Sequence, residues 1–321
     1  MKNHVKKCRH TRFLMGIKYL NKYLTKNCKS IKRVHLRTLK NKTIVIDTSI
    51  YMYKFLSENA LLENMQKMIN TFRLYNICPV FIFDGKPPPE KKELMNQRYL
   101  MKCKAKEKYE EMSKEECPDP QELLSLKNQF LKISETDVVQ VKELFDSMDV
   151  KYFVSTTESD PVCVYLVNSN KAFACLTEDM DMFVYGCKKI LRNIDLVLHE
   201  IQYYDVDSIL KELRMNLREF KEILVLSGTD YNIKNTNNLY LTMNLFEQYK
   251  KKNPYCGPSS SFYKWLAMFN PQYIEDKVKL NSCLNMFDLQ RYSEFLKPFA
   301  QLQPADLLPA AVPVIAMVSC Q

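Results

Sequence analysis

The sequence predicts an α/β fold, a mostly parallel central sheet flanked by helices, on two observations. Short apolar runs alternate with stretches of helical periodicity, and several of those runs lead straight into carboxylates. Residues 43–46 (TIVI) read as a buried strand, β-branched and bounded by polar residues. Residues 80–83 (VFIF) read the same way. Between them, 51–74 carries apolar residues at helical spacing, and strand, helix, strand is the parallel α/β unit.

The later elements follow in order. Residues 86–116 hold nine Lys/Arg and seven Glu with few apolar residues, the composition of a solvated helix or a lid. An amphipathic helix is expected at 137–148, a short strand at 152–154, a helix at 160–167 and a buried strand at 172–176 (AFACL). Residues 190–192 and 196–199 read as a two-stranded hairpin, and 205–213 and 217–226 as helices. Beyond Tyr231 the pattern stays helical but poorer, with an Asn/Lys-rich loop at 232–238 and a Pro/Gly/Ser linker at 253–261. From Pro298 the tail has no Lys or Arg, and prolines at 298, 304, 309 and 313 break any helix. Residues 298–321 are therefore expected to be disordered or loosely docked.

Composition bounds the function. At 321 residues and 46% hydrophobic, the chain builds a real core in two domains or one large one. With 5 glycines and neither a GxGxxG nor a P-loop signature, it is not a glycine-rich nucleotide-binding enzyme. Lys+Arg outnumber Asp+Glu by 47 to 37, and the net charge of +10 points to an anionic partner such as nucleic acid. The 11 cysteines are scattered without a CxxC pair, as expected for reduced thiols in an intracellular protein. No run of 18 apolar residues occurs, so no membrane span is expected. The first 42 residues hold 14 Lys/Arg and no acid, a transit-peptide-like composition. From Met15 onward this reads as a basic, nucleic-acid-facing start to the fold. Residues 1–14 read as a tag-like extension or a weak targeting arm.

The acids carry the chemistry. Asp47 closes the run 43–46, Asp84 closes 80–83, and Glu178, Asp179 and Asp181 follow 172–176. Glu158 and Asp160 come just after 152–154, and Asp230 follows the helix 217–226. Ligand sites in a parallel sheet form beyond the carboxyl ends of its strands. One such Asp is an ordinary turn or cap residue; the set together points to one acidic rim. The glycines Gly16, Gly85, Gly186 and Gly228 lie beside these acids or next to Met15. Crowded carboxylates repel and bind protons unless a divalent cation relieves them. An all-oxygen set favours Mg²⁺ or Mn²⁺ over Zn²⁺. Two such ions roughly 3.5–4 Å apart activate a water and stabilise the leaving oxygen of a phosphodiester. A basic protein with an acidic nest has the charge layout of a nuclease.

In chain order, MGIKYLNKYL at 15–24, VIDTSIYMYKF at 45–55, FIFDGKPP at 81–88, ESD at 158–160, TEDMDMFVYG at 177–186 and LSGTDY at 226–231 form a recognisable series. It resembles the flap endonuclease family, the XPG-type structure-specific 5′ nucleases of PIN-like fold, over residues 15–231. The resemblance implies a 5′ nuclease core there, with a helical arch at about 86–135 and a helical, DNA-binding region at 232–297. It implies that Asp47, Asp84, Glu158 and Asp160 serve one metal group, and Asp179, Asp181 and Asp230 a second. Two Mg²⁺ ions are the implied cofactors, with Mn²⁺ as a substitute. Lys91 and Arg98 match the basic residues that hold the scissile phosphate at the base of the arch. Arg98's planar fork suits bidentate phosphate contact. Tyr53 matches an aromatic that stacks on a DNA base near the cut. Gly16 matches the glycine after the initiator methionine, so either initiation is at Met15 or the preceding 14 residues alter that end of the site.

Two departures stand out. The family's glycine-rich helix–two-turn–helix grips duplex phosphates and a potassium ion; here NIKNTNNLYLTMNLFEQYK at 232–250 has no glycine. The potassium site is expected to be lost, with Lys234, Lys250, Lys251 and Lys252 as the substitute duplex contacts. LQRYSEF at 289–295 matches a sliding-clamp motif only loosely, which leaves the clamp undecided. The implied activity is that of a monomeric, Mg²⁺-dependent 5′ flap endonuclease on flapped, nicked or branched DNA. It would serve replication, repair or recombination in the nucleus or at another site of DNA replication, a viral factory if the source is a virus. The alternatives are a 5′→3′ exonuclease or RNase-type relative, and a non-catalytic factor that binds branched DNA.

Overall fold

A computed structural model describes residues 17–115, 117–232, 237–252, 261–274 and 276–308. Gly16, Lys234, the extension 1–14 and the last residues 309–321 lie outside the described residues. The elements run α1 (Leu20–Asn27), β1 (Lys32–His35), β2 (Thr43–Asp47), α2 (Thr48–Ser57), α3 (Leu61–Leu74), β3 (Cys78–Phe83), α4 (Lys92–Met112), α5 (Pro120–Gln129) and α6 (Glu135–Ser147). Then come β4 (Tyr152–Val154), α7 (Ser159–Asn168), β5 (Ala174–Leu176), α8 (Asp181–Tyr185), β6 (Lys189–Asp195), β7 (Glu200–Asp205), α9 (Val206–Glu212) and α10 (Leu217–Leu226). The chain continues through α11 (Leu239–Lys252), α12 (Phe262–Phe269), α13 (Lys277–Met286) and α14 (Ser293–Gln301).

The seven strands lie in the order β1-β7-β6-β5-β2-β3-β4. From β6 to β4 every pairing is parallel, and β1 and β7 add an antiparallel edge. Both faces of the central strands are covered, which is why β2 and β3 read as unbroken apolar runs. Alternate residues part to opposite faces. Ile44, Ile46, Phe81 and Phe83 pack with α2, α3 and α6. Val45, Val80 and Ile82 pack with α1, α7, α8 and α10. The later helices join this second layer, so Phe246, Phe262, Phe287 and Leu296 belong to the same apolar cluster as Val45. Helix starts follow local rules: Ser134 with Asp137, and Asn216 with Glu219, close capping boxes before α6 and α10.

The structure corrects three expectations. Residues 51–74 form two helices, not one, separated at Asn59 by a left-handed backbone (φ 53). Residues 196–199 are the turn of the hairpin rather than its second strand. Asp195 accepts from the backbone N–H groups of Val197 and Leu198, each at 2.9 Å, which makes the turn. The apolar Val197 and Leu198 mimic a strand in sequence but are 77% and 60% exposed. The tail is also ordered further than expected. α14 runs through Pro298, a 3-10 turn follows at Pro304–Leu307, and Leu307 is buried. Phe299 packs edge-on against Phe153 (5.7 Å), and Lys171 donates to the carbonyl oxygen of Ala300 at 3.2 Å, so tertiary contacts anchor the end of this helix.

Candidate functional site

β2 and β3 are neighbours and parallel, so Asp47 and Asp84 emerge on the same edge of the sheet. The loop after β4 is pulled against them. A Cβ on Gly85 would overlap the Ser155 carbonyl oxygen, so only glycine permits this approach. The Gly85 N–H donates to Thr157 O at 2.6 Å. That contact brings in the first turn of α7, with Glu158 as its N-cap and Asp160 inside it. The Ser159 N–H donates to Asp84 at 2.7 Å, and the Ser159 hydroxyl donates to Asp47 at 3.4 Å. From β5 the chain turns at once: Thr177 donates to Asp47 (3.1 Å), the Asp179 N–H to Thr177 (3.1 Å), and the Asp181 N–H to Asp179 (2.8 Å). Asp230 arrives from the loop after α10, where Gly228 takes φ +98°.

Lys91 and Arg98, at the foot of α4, face the same nest. The Lys91 ammonium lies 2.7 Å from Glu158 and 3.9 Å from Asp230, and the Arg98 guanidinium donates to Asp230 at 2.9 Å. Tyr53 is half-buried on α2 beside Asp84 and Arg98, with the Lys102 ammonium 5.5 Å over its ring. The seven carboxylates, both cations and Tyr53 thus belong to one rim. The C-terminal lysines do not. Lys250 binds Glu219 at 3.2 Å, near the start of α10, a helix length of ~15 Å from the end that leads to Asp230. Lys252 lies 5.4 Å over the Phe269 ring, and Lys251 is exposed.

The electrostatics show a nest short of positive charge. Burial, and then the negative charges of Asp84 and Asp179, push the Asp47 carboxyl well above the usual range. Asp160 is pushed up by burial, Asp179 and Asp47, and Asp181 by burial, Asp179 and Asp230. Asp179 and Glu158 rise as well, burial again leading. Burial opposes the Lys91 ammonium, yet Glu158, Tyr231, Asp160 and Asp230 together hold its pKa well above the ordinary lysine value. Asp181 is the extreme case. Neither of its oxygens has a regular hydrogen-bond partner, and the backbone N–H of Asp230 only nudges its pKa down.

An all-carboxylate donor set with unpartnered buried oxygens fits a hard divalent cation. Among the described residues, no three acids stand in a ready-made ion cage. Glu158 and Asp230 are drawn instead to Lys91 and Arg98.

Several supports carry little or no signal in the sequence. Arg192 of β6 donates to the Glu178 carbonyl oxygen at 2.7 Å, and the Asn193 N–H donates to the Glu178 carboxylate at 2.6 Å. These bonds turn Glu178 away from its acidic neighbours and fix the loop that carries Asp179. Ser159 and Thr177 lie inside the recognised motifs, and that is the signal for them. Arg192 gives none, because a lone arginine in a strand looks like a solvated charge.

A parallel sheet that gathers acids, a lysine and an arginine on its carboxyl edge defines an α/β nuclease core of the PIN-like class. Residues 15–105 match the XPG N-terminal domain and residues 149–230 the XPG I-region. The chain belongs to the XPG-type 5′ nuclease family. It is 26% identical to flap endonuclease 1 of Methanococcus aeolicus over 296 residues, 87% of this chain and 90% of that protein. It is 30% identical to flap endonuclease 1 of Glycine max over 237 residues, 68% of this chain but only 62% of the relative. Among solved structures, the catalytic core of Rad2 in complex with DNA substrate superposes with a TM-score of 0.58 at 19% identity, covering 88% of this chain and 99% of that one. Human GEN1 in complex with Holliday junction DNA gives 0.56 at 17% identity, covering 88% of this chain and 66% of that one. At these identities the two structures share the fold.

Proposed function

We propose that the protein is a divalent-metal-dependent, structure-specific 5′ nuclease that hydrolyses phosphodiester bonds in flapped, nicked or branched DNA during replication, repair or recombination. The observation that carries this reading is the Asp181 carboxylate, buried beside Asp179 and Asp230 with neither oxygen in a regular hydrogen bond. Burying a charge in that way is costly unless something cationic is to be held there. Asp47, Asp84, Glu158 and Asp160 would hold one Mg²⁺, and Asp179, Asp181 and Asp230 the other. Such ions, when bound, lower the pKa of water and offset charge on the leaving oxygen.

The chain's own residues do the rest. Arg98 offers a planar fork for two phosphate oxygens, and Lys91 adds a compact charge beside it. Both cations face the acids now and can turn to a phosphate laid across the rim. Tyr53 presents an aromatic face for a base next to the cut. α4 buries only Leu94 and Ala105, and it is clasped to α5 by Lys108–Glu122 at 2.7 Å and Tyr109–Phe130 at 5.4 Å. A helical pair that buries so little and clasps mainly itself supports the reading of 86–135 as an arch over single-stranded DNA.

The experiment is cleavage of a labelled 5′-flap DNA, with a nicked duplex and an RNA strand in parallel. Mg²⁺ should support cleavage of the flap, while EDTA or Asp179→Ala should abolish it with DNA binding largely kept. Full cleavage by Asp179→Ala or in EDTA would contradict the proposal. Preference for the nick or the RNA would move the assignment to an exonuclease or an RNase-type relative.

A further inference from the structure

We infer that Tyr231 is a positioning residue for cleavage, seating the Lys91 ammonium and orienting Glu158, and that the C-terminal helices hold it in place. The inference rests on the nuclease reading above. The Tyr231 phenol donates to one Glu158 oxygen at 3.2 Å, and the other oxygen faces the Lys91 ammonium at 2.7 Å. That ammonium also lies 5.0 Å above the centre of the Tyr231 ring. One side chain therefore fixes both members of the pair, the hydroxyl turning the carboxylate and the ring facing the cation. Lysine carries its charge on a flexible four-carbon stem. An aromatic face in a buried site restricts where that charge rests.

Tyr231 lies just past the matched I-region, which ends at 230. What holds it comes from far along the chain. Phe287 packs edge-on against its ring at 5.2 Å, and the Cys283 thiol donates to its backbone oxygen at 3.3 Å. Phe287 in turn packs against Tyr185 at 4.9 Å, and the Tyr185 hydroxyl lies 3.4 Å from that of Tyr292. α13 and the residues just after it thereby reach the Lys91–Glu158 pair through Tyr231.

The test measures single-turnover cleavage, KM and melting temperature for Tyr231→Phe and Tyr231→Leu in the full chain. Each is made alone and in a Lys91→Ala background, on flap DNA with Mg²⁺. Phe keeps the ring and loses the hydrogen bond to a charged group, so the rate should fall about tenfold. Leu loses both, and the rate should fall about a hundredfold with KM little changed, while the melting temperature drops in both the Leu single variant and its Lys91→Ala counterpart through the packing lost on Phe287. In the Lys91→Ala background most of the tyrosine effect should vanish, because the two residues act as one unit. In a crystal structure of metal-free Tyr231→Leu, the Lys91 ammonium should have left Glu158. Wild-type rates in Tyr231→Leu, an undiminished effect without Lys91, or an ammonium that stays in place each overturn the inference. Should Leu fail to fold, the Phe variant still tests the hydroxyl: a wild-type rate in Tyr231→Phe, or a loss undiminished without Lys91, overturns the inference. A wild-type protein that leaves DNA uncut would sink the nuclease reading instead, and the crystallographic comparison would still judge the seat.

Discussion

Glu219 and Glu222 on α10 are as buried as Asp181 on the rim, at 2%, 1% and 2% exposed. Their surroundings are opposite. Glu219 accepts from the Asn216 N–H at 2.9 Å and from Lys250 at 3.2 Å. Glu222 accepts from the Ser261 hydroxyl at 2.8 Å, the Tyr263 N–H at 3.2 Å and Arg218 at 3.2 Å. These bonds tie α11 and α12 to α10. Asp181 has like charges beside it and no regular partner. A buried acid saturated with donors holds a fold together. Acids short of donors and pressed together weaken the fold and bind cations.

The largest test of that contrast is a pair of substitutions. Asp181→Asn should cut flap cleavage by about a thousandfold, on the order of 4 kcal/mol of barrier, without lowering the melting temperature. Glu222→Ala should do the reverse, costing about 3 kcal/mol of stability while each folded molecule cleaves normally. Melting curves beside single-turnover rates read both. A large loss of stability in Asp181→Asn would erase the distinction.

Acidity sharpens it next. Asp47, Asp160 and Asp181 have raised pKa values, so the folded protein keeps protons that the unfolded chain gives up. The stability tied to them is fully present below the ordinary Asp value of about 4, and is lost as pH rises through the raised values. Without metal, the melting temperature should fall as pH rises above the ordinary Asp range, and fall less in Asp181→Asn. Mg²⁺ should restore it mainly at the alkaline end, since protonated carboxylates bind metal poorly. An equal Mg²⁺ effect at both ends would count against the crowded-acid account.

The smallest expected effects separate neighbouring lysines. Lys250→Ala removes a partner from buried Glu219 and should cost about 0.5–1 kcal/mol, discounted because the lysine itself is about one-third exposed. Lys251→Ala should leave melting unchanged and reduce the salt slope of DNA binding by at most about 1. Identical behaviour of the two would mean that the Glu219 contact does nothing.

Much of the rim is legible in the amino-acid sequence. TIVI and VFIF each end in an aspartate because a strand buried on both faces is apolar until it reaches the edge of the sheet. Glu178 shows where that reading stops. It stands between Thr177 and Asp179, yet the neighbouring strand turns it to Arg192 and Asn193. Residues 196–199 read as strand because apolar character signals burial only on average, and here Val197 and Leu198 stand exposed in a hairpin turn. Pro298 misleads for a related reason: contacts on Phe153 and Lys171 make a helix tolerable that local propensity disfavours.

The order of strands and helices, and the acids at strand ends, follow from neighbours in the chain, since periodicity and turn chemistry act over a few residues. Which buried carboxylate receives donors and which goes without depends on partners brought from afar. Ser159 reaches Asp47 across 112 positions, and Tyr231 reaches Glu158 across 73. Hydrogen bonds and charge pairs depend on direction and distance, and packing alone sets those.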